Sequence, residues 1–106
     1  MKVHKIDKFI KGWFIGNFEP SLFNTDDFEI CFKRFRAGEK ESVHYHKIAV
    51  EYTLVTSGKI SMNGNEYEEG DIIVVEPGEV VEFVSLVDSS IIAVKVPCVK
   101  NDKYEV

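Results

Sequence analysis

Short apolar runs broken at intervals of roughly eight to twelve residues govern what this chain can fold into. Trp13-Phe14-Ile15-Gly16-Asn17-Phe18 ends at Glu19-Pro20, and Phe28-Glu29-Ile30-Cys31-Phe32-Lys33-Arg34-Phe35 ends at Ala37-Gly38. Tyr52-Thr53-Leu54-Val55-Thr56 stops at Ser57-Gly58, and the runs Ile72 to Val75, Val80 to Leu86 and Ile91 to Val96 are parted by Pro77-Gly78 and Asp88-Ser89-Ser90. Asn63-Gly64, between Lys59-Ile60-Ser61-Met62 and Glu66-Tyr67, is a strong hairpin signal, because both central residues of a type I′ turn need positive φ. No window keeps apolar residues at helical spacing for three turns. The pattern predicts an all-β chain, an antiparallel barrel or jelly roll. Residues 1–106 make a single domain, since this length supports one core and not two.

One run carries chemistry. In Gly38-Glu39-Lys40-Glu41-Ser42-Val43-His44-Tyr45-His46-Lys47-Ile48-Ala49-Val50-Glu51, His44 and His46 share one face of a strand, because strand side chains alternate. Glu51 follows a short break that brings a second strand back alongside. Two imidazoles and a carboxylate suit a borderline divalent ion such as zinc, iron, manganese or nickel. With Glu51 inward, Thr53 and Val55 also face the interior, and Tyr45 and Tyr52 face out.

The spacing G-x5-H-x-H-x4-E-x6-G, from Gly38 to Gly58, closely resembles the first motif of the cupins. A second cupin motif, G-x5-P-x-G-x2-H-x3-N, is met in part: Gly70, Gly78 and the aromatic Phe83 fall where the pattern wants them. Glu76 takes the place of the proline, with Pro77 beside it, and Ser85 that of the asparagine. Val81 stands where the histidine is expected. The resemblance covers residues 38–85 and implies a cupin-type jelly-roll barrel. It implies a metal site of His44, His46 and Glu51, with affinity reduced by the missing ligand and a position left to water or substrate. It also implies a small-molecule pocket lined by Thr53, Val81 and Phe83, with a polar residue near Arg34. Residue alternation leaves open whether Lys33 or Arg34 faces inward.

Function remains divided at this point. One reading is a metal-dependent enzyme acting on a sugar derivative or an oxygenated small acid. The other is a metal-free binding module, or a metal-free sugar isomerase or epimerase, using the same pocket. Likeness to small cupins of carbohydrate metabolism implies a sugar-type ligand. No nucleophile–base pair, GxSxG elbow or phosphate loop occurs.

The remaining expectations concern partners and setting. A net charge of −5 without a basic cluster argues against nucleic acid. No run approaches the roughly 18 apolar residues of a membrane span, and Met1 to Lys8 lack the apolar stretch of a secretory signal. Cys31 and Cys98 sit in apolar runs without a CxxC partner and are expected as buried free thiols in a cytoplasmic protein. The dense aromatics Trp13, Phe14, Phe18 and Phe23 are expected either at a homodimer interface, as the cupin resemblance implies, or packed on the chain's own barrel.

Overall fold

The computed structural model describes all 106 residues. Two single turns of 3₁₀ helix, Ile6–Lys8 and Ile10–Gly12, precede ten strands. These are β1 (Trp13–Ile15), β2 (Glu29–Phe35), β3 (His44–Tyr45), β4 (Val50–Ser57) and β5 (Lys59–Met62). They continue with β6 (Asn65–Glu68), β7 (Ile72–Val75), β8 (Phe83–Ser85), β9 (Ser89–Val96) and β10 (Tyr104–Glu105). The larger sheet has the order β1-β2-β9-β4-β7, and every pairing in it is antiparallel. Facing it are the ladder β6-β5-β8 and the pair β10-β3, linked to each other by bridges between Lys40 and Val84 and between His44 and Val81. The result is an all-β jelly roll, as the punctuation predicts.

Alternation decides what each sheet turns inward. Across β2, β9, β4 and β7 the register sets Cys31 beside Ala93, Ala93 beside Thr53, and Thr53 beside Ile73. The next inward row toward one end of the roll is Glu29, Lys95, Glu51 and Val75. Toward the other end Val55, Ile60, Met62, Phe83 and Ile91 form the packed core, which Val75 and Val81 join from beside the polar row. Phe35 closes onto Phe83, with ring centres 4.7 Å apart. Burying such side chains supplies about 1.5–3 kcal/mol each, so the apolar end anchors the fold and leaves the other end free for polar groups.

The hairpin between β5 and β6 turns through Asn63 and Gly64, at φ 52° and 81°. That is the double left-handed turn which the Asn-Gly pair signals.

Residue alternation settles the question left open on β2. Cys31 is buried and Phe35 packs against the core, so Lys33, between them, shares their inward face. Arg34 is exposed and lies over the outer ring of Phe32, 5.0 Å from its centre. The expectation that Arg34 lines the pocket is therefore corrected: one residue of register excludes it.

The segment Trp13–Phe18 is a strand only over Trp13–Ile15, where it pairs with β2 at the edge of the larger sheet. Trp13 turns onto the chain's own interior, whereas Leu22 and Phe23 are exposed.

Candidate small-molecule site

Two adjoining cavities open at the polar end of the roll. The inner one, about 170 Å³, lies between the sheets and is lined by His44, Glu51, Thr53, Val81 and Phe83, with Lys33 and Glu41. The outer one, about 670 Å³, is lined by His46, Ala49, Glu29, Cys98 and Asp102 among others. Lys11, Trp13, Lys95 and Lys103 line both, so they form the neck between them.

Each expected site residue now has a place. Thr53, Val81 and Phe83 are buried on the wall of the inner cavity. His44 and Val81 exchange both backbone hydrogen bonds, from His44 N–H to Val81 O at 3.2 Å and from Val81 N–H to His44 O at 2.7 Å. The position where cupins carry their second-motif histidine is thus the cross-strand neighbour of His44. Glu82 is exposed, as alternation requires, and so is the turn residue Glu79.

His44 and His46 are both buried, with ring centres 5.2 Å apart and planes at 78°. His44 Nδ1 lies 2.7 Å from the carbonyl of Ser42. A carbonyl only accepts, so Nδ1 carries the proton and Nε2 keeps its lone pair. His46 differs: neither Nδ1 nor Nε2 has a hydrogen-bond partner, although both are buried. Burial pushes its pKa down to about 4, helped by the Lys95 ammonium and by His44. The ring is therefore neutral near pH 7.

Glu51 faces Lys95 directly across β4 and β9, and Lys95 in turn faces Glu29. Lys95 Nζ stands 3.8 Å from Glu29 Oε1 and 4.9 Å from the centre of the Trp13 ring. Lys33 Nζ is 3.9 Å from Glu41 and also lies over Trp13, at 5.4 Å. Burial raises the Glu51 pKa above the usual carboxylate range, and the opposing pull of Lys95 does not cancel it.

The donors meet the demands of a metal only in part. Two imidazoles on one tetrahedral zinc, with bonds of about 2.1 Å, have ring centres about 5 Å apart. The histidine pair has that separation, and both rings keep neutral nitrogens. Yet no three His, Cys, Asp or Glu side chains are grouped closely enough to hold an ion. The expected convergence of His44, His46 and Glu51 is divided between two cavities. His46 borders the outer one, while Glu51 borders the inner one opposite a lysine.

Two functional-looking residues escape a reading by motif. Asp102, buried near the C-terminus, accepts from the backbone N–H groups of Lys47 at 3.0 Å, Ile48 at 3.2 Å and Ala49 at 2.9 Å. It fixes the loop that carries the chain from His46 to Glu51. Burial alone would raise its carboxyl pKa, but these donors outweigh burial and hold it below the usual range. Lys95 had a signal, since it is the one charged residue in the apolar run Ile91 to Val96, in phase with inward Ile91 and Ala93. Asp102 had none.

Solved structures share this architecture. An uncharacterized conserved protein with a double-stranded β-helix domain from Klebsiella pneumoniae matches at TM-score 0.74 and 18% identity, over 99% of this chain and 91% of that one. An RmlC-like cupin protein from Desulfovibrio desulfuricans matches at TM-score 0.60 and 20% identity, over 69% and 74%. KdgF from Halomonas sp. matches at TM-score 0.62 and 23% identity, over 69% and 72%. No family model matches the chain, and no curated protein sequence matches it. At these identities the likeness shows the fold.

Proposed function

With the cupin fold as its frame, we propose that this chain binds a small molecule at the neck between its two cavities, with His46 as the polar centre of the site. The carrying observation is the pair of unpartnered, buried ring nitrogens on His46. Leaving a buried polar group unsatisfied costs about 1–3 kcal/mol. A ligand offering a hydroxyl or carboxylate supplies the missing partner. His44, with its Nε2 lone pair, and Glu51, which holds its proton more tightly than an ordinary carboxyl, border the inner cavity as candidate base and acid.

Enzyme and binding module are separated by one substitution. Screening metabolites by thermal shift, with sugar derivatives and oxygenated acids foremost, identifies ligands, which are then followed for turnover. Turnover that falls on Glu51→Gln with binding retained marks an enzyme. Binding without turnover, unchanged by Glu51→Gln, marks a module. A sugar isomerase or epimerase working without metal is the intermediate case, in which His44 or His46 moves the proton.

A second reading adds a divalent ion, and the fixed tautomer of His44 favours it. The backbone carbonyl of Ser42 orients the ring as the outer partners of metal-bound histidines do. His44 and His46 would be its first donors and Glu51 would have to turn toward them to be the third, with Val81 in place of a fourth ligand. Bound there, it would serve as a Lewis acid toward a substrate oxygen. Elemental analysis of protein purified without chelator or affinity-tag metal decides this. Stoichiometric zinc, iron, manganese or nickel that is lost in His46→Ala supports the ion. No uptake at millimolar concentration leaves the metal-free pocket.

The outer face of the larger sheet supports a homodimer. Phe32, Ile92, Leu54 and Ile72 form one apolar row across it, and Ile30, Val94, Tyr52 and Val74 form the next. Ile72 and Val74 are exposed at 65% and 46% on the edge of this face. The buried free thiols Cys31 and Cys98 support a reducing, cytoplasmic setting. No helix is long and apolar enough to cross a membrane.

A further inference from the structure

We propose that the ligand is a small organic anion whose acidic group is held at the neck by Lys11, Lys95 and Lys103 beside His46. The inference rests on the small-molecule reading above and names the class of molecule that fits it.

Of the four residues that border both cavities three are lysines and none is acidic, although the chain as a whole carries −5. Lysines at 11, 95 and 103 come from three distant parts of the sequence, and each borders both cavities. Apart from Glu51, which faces Lys95 across the strands without an ion pair, the acids nearby are already engaged. Asp102 accepts three backbone N–H groups, Glu29 pairs with Lys95, and Glu41 pairs with Lys33. Glu19, on the outer cavity, accepts from the Asn24 side chain at 3.0 Å. Lys11 and Lys103 enter no ion pair within the chain. Both are exposed at the neck, where their charge is available to a ligand.

His46 gives the independent observation. It is only 3% exposed, it borders the outer cavity with these lysines, and both its ring nitrogens lack partners. An imidazole always carries an N–H to donate, which a carboxylate or phosphate oxygen accepts.

Backbone strain points to the same place. Lys11 adopts a left-handed conformation, φ 52° and ψ 27°, which disfavours side chains other than glycine's. Gly12 follows at φ 79° with its α-carbon pressed toward the carbonyl of Phe32, so that a Cβ there would collide with it. This tight entry to β1 sets Lys11 at the neck next to Trp13.

Trp13 is the only tryptophan of the chain and borders both cavities, so its fluorescence reports on the neck. The test titrates chelator-treated protein with matched pairs, gluconate against sorbitol and malonate against malonamide, and with inorganic phosphate. Trp13 emission and calorimetry are the readouts. At least one anion should bind about tenfold more tightly than its neutral counterpart and lose affinity as salt is raised. The double variant Lys11→Gln/Lys103→Gln should weaken that binding about tenfold with an unchanged melting temperature, since both side chains are exposed. Lys95→Gln checks the third cation independently. Neutral partners that bind as tightly as the anions overturn the anion class and leave the pocket reading standing. Anion binding that is indifferent to the lysine variants overturns the proposed neck. Silence from every probe overturns the inference, and the pocket reading then rests on the broader metabolite screen.

Discussion

His46 lies among groups that refuse it a proton, and this has a consequence for stability. Its folded pKa of about 4 lies below the usual value of 6.5, lowered first by burial and then by Lys95 and His44. Between these two values the unfolded chain takes up a proton that the folded chain does not. Stability is therefore complete above the unfolded pKa and is lost as pH falls toward the folded one, by about 3 kcal/mol. Urea unfolding at stepped pH should show that loss, and His46→Asn should flatten it. Glu51 acts with the opposite sign: its raised pKa contributes stability at low pH that fades as pH rises through the folded value. Asp102 follows the sense of His46 but in more acidic solution, because its depressed carboxyl must stay ionised to hold the Lys47–Ala49 loop. Replacing it by alanine should cost about 2–3 kcal/mol in the same unfolding measurement, and Asp102→Asn should restore part of it through the remaining carbonyl.

At the scale of strands, β3 and the segment before β8 decide how many donors a divalent ion would meet. Val81 and His44 form a hydrogen-bonded pair in the antiparallel arrangement, with side chains on the same face. Val81→His should therefore set a third imidazole beside the first and tighten zinc binding about tenfold or more, measured by competition with a chromogenic chelator. The strands also show what was legible beforehand. The HxH pair, Thr53, Val81 and Phe83 all fall on the inward face that alternation assigns them, because one buried face fixes register. Asn63-Gly64 forms its hairpin because the turn chemistry is local. Arg34 was misplaced because the choice between adjacent residues depends on where β2 starts to alternate, and only its neighbours Cys31 and Phe35 reveal that. Lys103 and Asp102 were invisible for another reason. Their roles come from a tail that returns to the site over more than fifty residues, for example from Asp102 to the amide of Ala49.

For the molecule as a whole, both sheets contribute to the core, while the larger one also turns Glu29, Lys95 and Glu51 toward the neck and an apolar surface outward. If that surface is the seam of a homodimer, light scattering at micromolar concentration should report twice the mass of the 12.1 kDa chain. Val74→Lys, on an exposed strand position, should shift the mass toward monomer without unfolding the roll. A monomer at every concentration would leave the apolar face unexplained by self-association. The paired cavities have a consequence of another kind. The inner chamber, about 170 Å³, is about a quarter the size of the outer one of about 670 Å³. Whatever reaches Thr53 and Val81 is thereby limited in size. A larger guest must leave most of itself in the outer chamber and send through the lysine ring only the fragment that His44 and Glu51 are to meet.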